Sequence, residues 1–435
     1  MESVETVEVI SARAIVITSR VHPPTPKRVA LTCVAMIALA LGILLPLASR
    51  PSQFVFDEGI YVEGSRSILA HTGIHNPEHP PLGKLLFSAG MALVGDNPTG
   101  WRIAGIACGA ITVGLVFLWT YLLLADYGLA IVTGLLTLFN NFLYVMSRTN
   151  MLDVPMFMFA AAALVGFTAA LKCNVSLGTR RAFLAGSGVM LGLAGASKWT
   201  ALDIAAALCA VTLILMCWGR SASSRVDPEF HSEACHLWDI GLPTVLVALT
   251  VIPALTYALT FIPVLHFMHM PFSFARVAGL QVEMWRLSKG VAGNRYLYAP
   301  WYSWPLKLSP MRGLSYLLGN PVVTWCGLAA VVACLRQLIR RISVPELLVV
   351  LLYFGSLLQW AVTPRAVTFY YYYYPAAMFL SVAITVALKR LGRTHVLGVS
   401  VTLALCLAAA VVFLYCYPRM THLESPWDCM FGCWV

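Results

Sequence analysis

Residues 29–49 read VALTCVAMIALALGILLPLAS, and residues 53–64 read QFVFDEGIYVEG. The first stretch is an apolar run without a charged residue, as long as the roughly 20 residues that one membrane-crossing helix needs. The second puts two adjacent carboxylates, Asp57 and Glu58, just past its end. An acidic pair at a membrane surface is either simply solvated or part of a chemistry performed on something held there.

The pattern repeats along the chain. Further apolar runs fall at about 101–124, 128–146, 151–171, 182–197, 200–218, 239–262, 318–335, 344–361, 368–388 and 395–416, which makes eleven spans in all. Of the 435 residues, 59% are hydrophobic and 11% charged, whereas soluble domains carry about 25% charge. The fold class is therefore all-α and polytopic in the membrane. Two long polar segments, 50–98 and 263–317, interrupt the spans, and 1–28 and 417–435 flank them. The tyrosine run at 370–374 opens a span, where aromatic anchors belong. Within 50–98, residues 58–71 and 82–95 read as short helices at the surface.

Charge orders the topology. With the N-terminus in the cytoplasm, the inner connections hold Lys172, Arg180 and Arg181, then Arg220 and Arg225, then Arg336, Arg340 and Arg341, then Lys389, Arg390 and Arg393. This is a consistent positive-inside pattern, and it puts both long polar segments and the C-terminal tail on the outer face. The net charge of +10 then reflects topology and anionic headgroups, not nucleic acid. Most of the twelve cysteines lie in apolar runs and act as small hydrophobes. Cys429 and Cys433 could pair, but their spacing alone is weak metal evidence. No internal repeat is evident, which argues against a transporter built from paired halves.

Ionisable groups at span ends are the candidates for function. Asp57 and Glu58 follow the first span, and Arg102 opens the second. Arg148 and Asp153 bracket a turn, Lys198 lies between the fifth and sixth spans, and Arg365 lies between the ninth and tenth. Arg102 and Arg365 could instead snorkel to headgroups, and Arg148 and Asp153 could pair with each other. Taken as a set, the signs suggest a transferase. A carboxylate serves as general base toward an acceptor hydroxyl, and basic groups stabilise a departing phosphate. A lipid-phosphate-linked sugar presents that phosphate at the membrane. A nucleotide sugar fits less well, because neither G-x-G-x-x-G after a strand nor a G-K-[ST] loop is present.

In HNPEHPPLGK (75–84), Pro80 and Pro81 stiffen the loop. Gly83 permits close backbone approach, so His79 and Lys84 would be fixed near the site. The prolines argue against a helix that aligns His71, His75 and His79 on a metal. No cofactor is called for, although a divalent cation would be compatible with the acidic pair.

Several ordered motifs together resemble the protein O-mannosyltransferase family of GT-C-type membrane glycosyltransferases. They are FDEGIYVEGSRSIL (56–69), HPPLGKLLFSAGMALVGDNPTGWRIAG (79–105), SRTNMLDVPMFMF (147–159), GLAGASKWTAL (192–202) and YAPWYSWPLKLSPM (298–311). The resemblance runs over about residues 29–390. It implies a GT-C transmembrane core over 29–416 and transfer of mannose from a polyprenyl- or dolichyl-phosphate carrier to Ser or Thr hydroxyls of exported proteins, with inversion. By that resemblance Asp57 is the catalytic acid–base residue and Glu58 its supporting neighbour. His79, Lys84, Arg102, Arg148, Asp153 and Lys198 match motifs around donor and acceptor. Trp304 falls in the outer-loop motif, and Arg365 and the tyrosines from Tyr370 match the carrier-phosphate segment more loosely.

The chain departs from the family in the later loop, where no histidine stands between His269 and the tryptophan–proline motif. That puts acceptor contacts in question. The β-rich domain of eukaryotic members has no counterpart, which points to a bacterial or archaeal enzyme of the plasma membrane with its active site on the outer face. Implied partners are the polyprenyl-phosphate mannose donor, an exported Ser/Thr-containing polypeptide, the protein-export machinery and membrane lipids. Transfer to a glycolipid or glycan is the alternative, followed by a transporter or flippase.

Overall fold

The computed structural model describes residues 23–73, 75–219, 226–289, 298–311, 314, 316–363, 367–390 and 396–423. Arg365, Cys429, Cys433, Arg220, Arg225, Arg393 and residues 1–22 lie outside the described residues.

The described residues are predominantly helical and form only two isolated β-bridges. The first half contains α1 (Pro26–Leu44), α2 (Glu58–Leu69), α3 (Leu82–Val94), α4 (Pro98–Leu124), α5 (Tyr127–Leu138), α6 (Asn141–Ser147), α7 (Asp153–Lys172), α8 (Leu177–Ser197) and α9 (Leu202–Trp218). The second half contains α10 (Pro228–Ile240), α11 (Leu242–Leu246), α12 (Ile252–Leu259), α13 (Ile262–Phe267), α14 (Phe274–Lys289), α15 (Pro321–Arg340), α16 (Val344–Val362), α17 (Tyr374–Arg390) and α18 (Val396–Met420). Short 3₁₀ turns precede α9 (Trp199–Ala201) and α17 (Tyr370–Tyr373).

Helix starts follow local chemistry. Asn97 accepts from the Thr99 and Gly100 amides at 3.0 Å, with Pro98 in the first turn of α4. Asn320 and Pro321 repeat the device at α15, and Thr25 and Pro26 do so at α1. A side-chain oxygen satisfies an orphan amide, and proline occupies a position that needs none.

Among the described residues, nine helices are long and apolar enough to cross a membrane, or ten if α5 and α6 count together. The remaining expected span is α8. Its 21 residues extend about 31 Å, but glycine, serine and two arginines dilute its apolar character. It packs closely on its neighbours through small residues, as membrane helices do. A Cβ on Gly188 would collide with the Ala248 carbonyl of the turn between α11 and α12.

One expected span is not continuous. Residues 128–146 bend by 55° between α5 and α6. Asn140 causes the break: its side chain accepts from the Phe142 amide at 3.1 Å and donates to the Ala377 carbonyl of α17 at 3.1 Å. An asparagine that caps a new helix competes with continuation of the old one.

α7 and α17 form the enclosed centre of the bundle. α1 and α18 lie outside and turn Leu31, Val34, Leu403, Leu407 and Leu414 outward. Such exposed apolar rows would be a liability in water and suit lipid. α7 spans about 30 Å and so separates two polar ends. Asp153 starts it. At its far end Lys172 pairs with Glu229 at 3.1 Å and Glu233 at 2.9 Å.

Candidate active site

Asp57 stands immediately before α2, half-buried, where the loop from α1 turns into the helix. The Tyr371 hydroxyl donates to its Oδ2 at 2.9 Å. Phe56 wedges edge-on between Phe369 and Tyr371. The loop after α1 is thereby fastened to the start of α17.

The neighbouring carboxylate has a different task. Glu58 is fully buried and takes two hydrogen bonds from Arg102, at 2.7 and 2.8 Å. It also accepts from the Val55 amide at 3.0 Å. Arg102 is equally buried and spends its remaining donors on the Ala48, Pro51 and Gln53 carbonyls. A guanidinium has five N–H donors, and all five are committed. Arg102 is thus the brace that folds residues 48–58 and has no donor left for a phosphate.

Arg148 braces the adjacent turn. It donates to the Leu44 carbonyl at 2.6 Å and to the Pro46 and Leu47 carbonyls, capping the end of α1. The Leu44 carbonyl is among those a helix leaves unpaired at its C-terminus, and those of Pro46 and Leu47 follow in the turn after it. Arg148 makes no ion pair with Asp153. Asp153 instead accepts two bonds from Lys198, at 2.9 and 2.7 Å, with both side chains buried. The Lys198 ammonium also lies 5.2 Å from the centre of the Tyr371 ring and 5.0 Å from that of Tyr372. Asp57, Tyr371, Lys198 and Asp153 therefore form one contiguous group assembled from the first loop and from α7, the α8–α9 junction and α17.

The loop 75–79 borders this group. Lys84 is buried and donates to the His75, Asn76 and His79 carbonyls at 3.3, 2.6 and 3.1 Å. Burial pushes its ammonium down to about 7, against the pull of Glu78. His79 lies edge-on to Tyr61. Burial, with Asp57 and Asp153 nearby, raises the Tyr61 phenol well above its ordinary value, so it is a neutral hydroxyl. Gly83 has the contact that its small size allows: a Cβ there would meet the Leu152 side chain at 2.5 Å.

A cleft of about 190 Å³ opens beside Lys198, lined by Glu78, His79, Trp199, Trp285, Gln359 and Trp360 among others. Trp304 does not reach it. That ring is buried, bonds the Ala299 carbonyl at 2.9 Å and packs on Trp360 and Tyr372, so the tryptophan–proline motif supports the tyrosine run from behind. Tyr370 is also buried, and its hydroxyl accepts from the Gly319 amide at 3.3 Å. Sequence reasoning named the first tyrosine, but Tyr371 and Tyr372 are the ones that meet Asp57 and Lys198. In a run of five identical residues no sequence signal distinguishes the register. Asp203 and Gln359 were also missed, although a carboxylate four residues into an apolar run was a signal in itself. No group of three or more His, Cys, Asp or Glu side chains suited to a metal occurs among the described residues.

Residues 78–227 match the family model for dolichyl-phosphate-mannose-protein mannosyltransferase. A polyprenol-phosphate-mannose–protein mannosyltransferase of Mycolicibacterium smegmatis is 34% identical over 198 residues, which cover 40% of this chain and 38% of that protein. One from Mycobacterium tuberculosis is 30% identical over 171 residues, covering 34% and 33%. In these matches the chain thus spans less than two fifths of the curated relatives' length. Among solved structures, the Saccharomyces cerevisiae Pmt1–Pmt2 complex bound to the sugar donor superposes with a TM-score of 0.76 over 94% of this chain and 92% of that chain, at 14% identity. ArnT from Cupriavidus metallidurans bound to undecaprenyl phosphate gives 0.58 over 89% and 64%, at 18% identity. At such identities the likeness is one of fold. The chain has the GT-C fold that its motifs suggested.

Proposed function

We propose that this GT-C-fold chain, similar over residues 78–227 to the protein mannosyltransferase family, is an inverting glycosyltransferase that moves mannose from a polyprenyl-phosphate carrier to Ser or Thr hydroxyls of exported polypeptides. The observation that carries the reading is the placement of Asp57. Tyr371 holds it at 2.9 Å, and the same tyrosine ring lies 5.2 Å from the Lys198 ammonium at the edge of the cleft.

The chemistry follows from that placement. The acceptor hydroxyl approaches C1 of the sugar from the Asp57 side. Asp57 takes its proton as the new C1–O bond forms. The bond from C1 to the carrier phosphate breaks, and the phosphate leaves with the electron pair. A single displacement inverts the anomeric centre. Phosphate is already a good leaving group, so no second carboxylic acid need protonate it, unlike the usual glycosidase pair. Lys198 lines the cleft, and the charge of its ammonium offsets that developing on the phosphate. Asp153 fixes the ammonium in place and moderates its charge. Glu58, Arg102, Arg148 and Lys84 shape the loops and act through Asp57 and the cleft wall.

In this reading α8 crosses the membrane too, giving eleven spans, with the N-terminus in the cytoplasm. The Asp57 end then faces outward at the plasma membrane, where exported chains emerge near their export machinery. The broken span α5–α6 carries no charged residue in α6, which speaks against a transport path through the break. The test is transfer itself. Purified protein in detergent, given radiolabelled polyprenyl-phosphate mannose and a Ser/Thr-rich peptide, should yield labelled peptide. Labelling of a lipid acceptor but not the peptide would replace the acceptor half of the proposal.

A further inference from the structure

Asp203 is a carboxylate inside a membrane span, in the first turn of α9. Such a group is costly and calls for a named partner. Its Oδ1 accepts from the Ile204 amide at 2.8 Å, and its Oδ2 accepts from Gln359 Nε2 at 3.1 Å. The second Nε2 proton of Gln359 goes to the Ser356 carbonyl at 3.2 Å. Both donors of the amide therefore point inward. Its carbonyl Oε1 accepts no hydrogen bond among the described residues, and Gln359 lines the cleft beside Lys198.

The other walls are anchored in the same manner. The Trp199 indole donates to Tyr257 at 3.0 Å, and Tyr257 in turn donates to Gln281 at 2.5 Å. Trp360 is stacked on Tyr372 with ring centres 4.2 Å apart and planes 2° from parallel. Trp285 from α14 completes the wall. The result is a set of indoles, of which Trp199 and Trp360 are fixed from behind, and one outward amide carbonyl. A pyranose matches both features. Its C–H-bearing face carries slight positive charge and suits the negative face of an indole, and its hydroxyls donate to a carbonyl. At about 190 Å³, the cleft holds roughly six waters' volume of about 30 Å³ each. That is room for one sugar ring.

We infer that this cleft is the subsite for the transferred sugar, that Gln359 Oε1 accepts a hydrogen bond from one sugar hydroxyl and so selects the hexose, and that Asp203 is the positioning residue that forbids the amide from flipping. The inference rests on the transferase reading of the same site. With one oxygen accepting from the Ile204 amide and the other from Gln359 Nε2, Asp203 holds the Gln359 donors inward and the carbonyl outward. Without it the amide could turn over and present a donor instead.

The test is binding, read by quenching of tryptophan fluorescence, with short-chain polyprenyl-phosphate mannose and its 2-, 3-, 4- and 6-deoxy analogues as probes. Wild-type protein should bind the mannose donor, and Gln359→Leu should bind it roughly tenfold more weakly, the loss expected for one hydrogen bond. One deoxy analogue should weaken wild-type binding by the same factor and bind Gln359→Leu no more weakly than mannose does. Asp203→Asn, which puts a donor in place of one of the two acceptor oxygens, should blunt the discrimination among analogues, and Asp203→Leu should lose it. Gln359→Leu sits at the cleft wall and tests the subsite even where Asp203→Leu does not fold. Wild-type and Gln359→Leu proteins with the same affinities across all five donors would overturn the subsite, as would no quenching in the wild type. The expected pattern without peptide labelling would overturn the transferase reading alone. Labelling without the pattern would overturn the subsite alone.

Discussion

The Tyr371 hydroxyl donates to Asp57 at 2.9 Å across 314 positions of sequence. This bond joins the loop after the first span to the start of α17 and fixes the carboxylate that the proposed reaction uses. Tyr371→Phe keeps the ring near Lys198 and removes only the bond. Turnover should fall roughly tenfold, with kcat carrying the loss and KM for the donor unchanged. Steady-state kinetics with labelled donor measure both. A change confined to KM would assign Tyr371 to donor binding instead.

Glu58 and Arg102 are a completely buried ion pair. Removing one partner of such a pair strands the other, at about 3–5 kcal/mol. Arg102→Met should therefore lower the unfolding temperature in detergent sharply. Glu58→Leu combined with Arg102→Met should recover part of the loss, because no charge is left stranded. Protein that remains folded should keep some transfer activity, which separates support from chemistry.

Lys198 and Asp153 predict effects of opposite sign. Lys198→Met removes the positive charge at the cleft and should weaken binding of polyprenyl phosphate. Asp153→Asn removes the partner's negative charge and should tighten it, while slowing turnover because product release is hindered. Isothermal titration of the carrier phosphate against each protein reads both signs. Weaker binding in both variants would mean that the pair acts only as a structural unit.

Lys84 makes stability depend on pH. Burial holds its folded value near 7, against 10.5 in the unfolded chain. Between these values the unfolded state carries the extra proton, so stability rises with pH across the window from about 7 to about 10. Lys84→Met should abolish this rise and loosen the loop 75–79, whose three carbonyls Lys84 gathers. Thermal unfolding at pH 7 and pH 9 compares the two proteins.

The helical membrane architecture was legible because apolar length is a direct consequence of bilayer thickness. Its boundaries were readable to a few residues wherever Asn–Pro or Thr–Pro pairs announce a helix start, as at Asn97 and Asn320. The kink at Asn140 was not, because its cause is a bond to the Ala377 carbonyl, 237 positions away. The ionisable set at the span ends was visible as a set. Its division of labour was not: in sequence Arg102, Arg148 and Lys84 match motifs around donor and acceptor, and only the hydrogen bonds show Arg102 committed to Glu58 and three carbonyls, and Arg148 and Lys84 each engaged by three carbonyls. Glu58 as a support for Asp57 was implied by the family resemblance alone, and its partner Arg102, 44 positions away, was not readable. Tyr371, Asp203 and Gln359 depend on contacts between distant spans.

The central claim is that Asp57 takes the proton from the acceptor hydroxyl. Asp57→Asn keeps the shape and an acceptor for Tyr371 and removes the base. The deciding measurement is transfer of labelled mannose from polyprenyl-phosphate mannose to a Ser/Thr-rich peptide by this variant, beside wild type. A loss of at least roughly 10²-fold, the lower end of what a general base contributes, is expected in kcat, with the unfolding temperature and donor binding unchanged. Wild-type turnover by the folded variant would contradict the account.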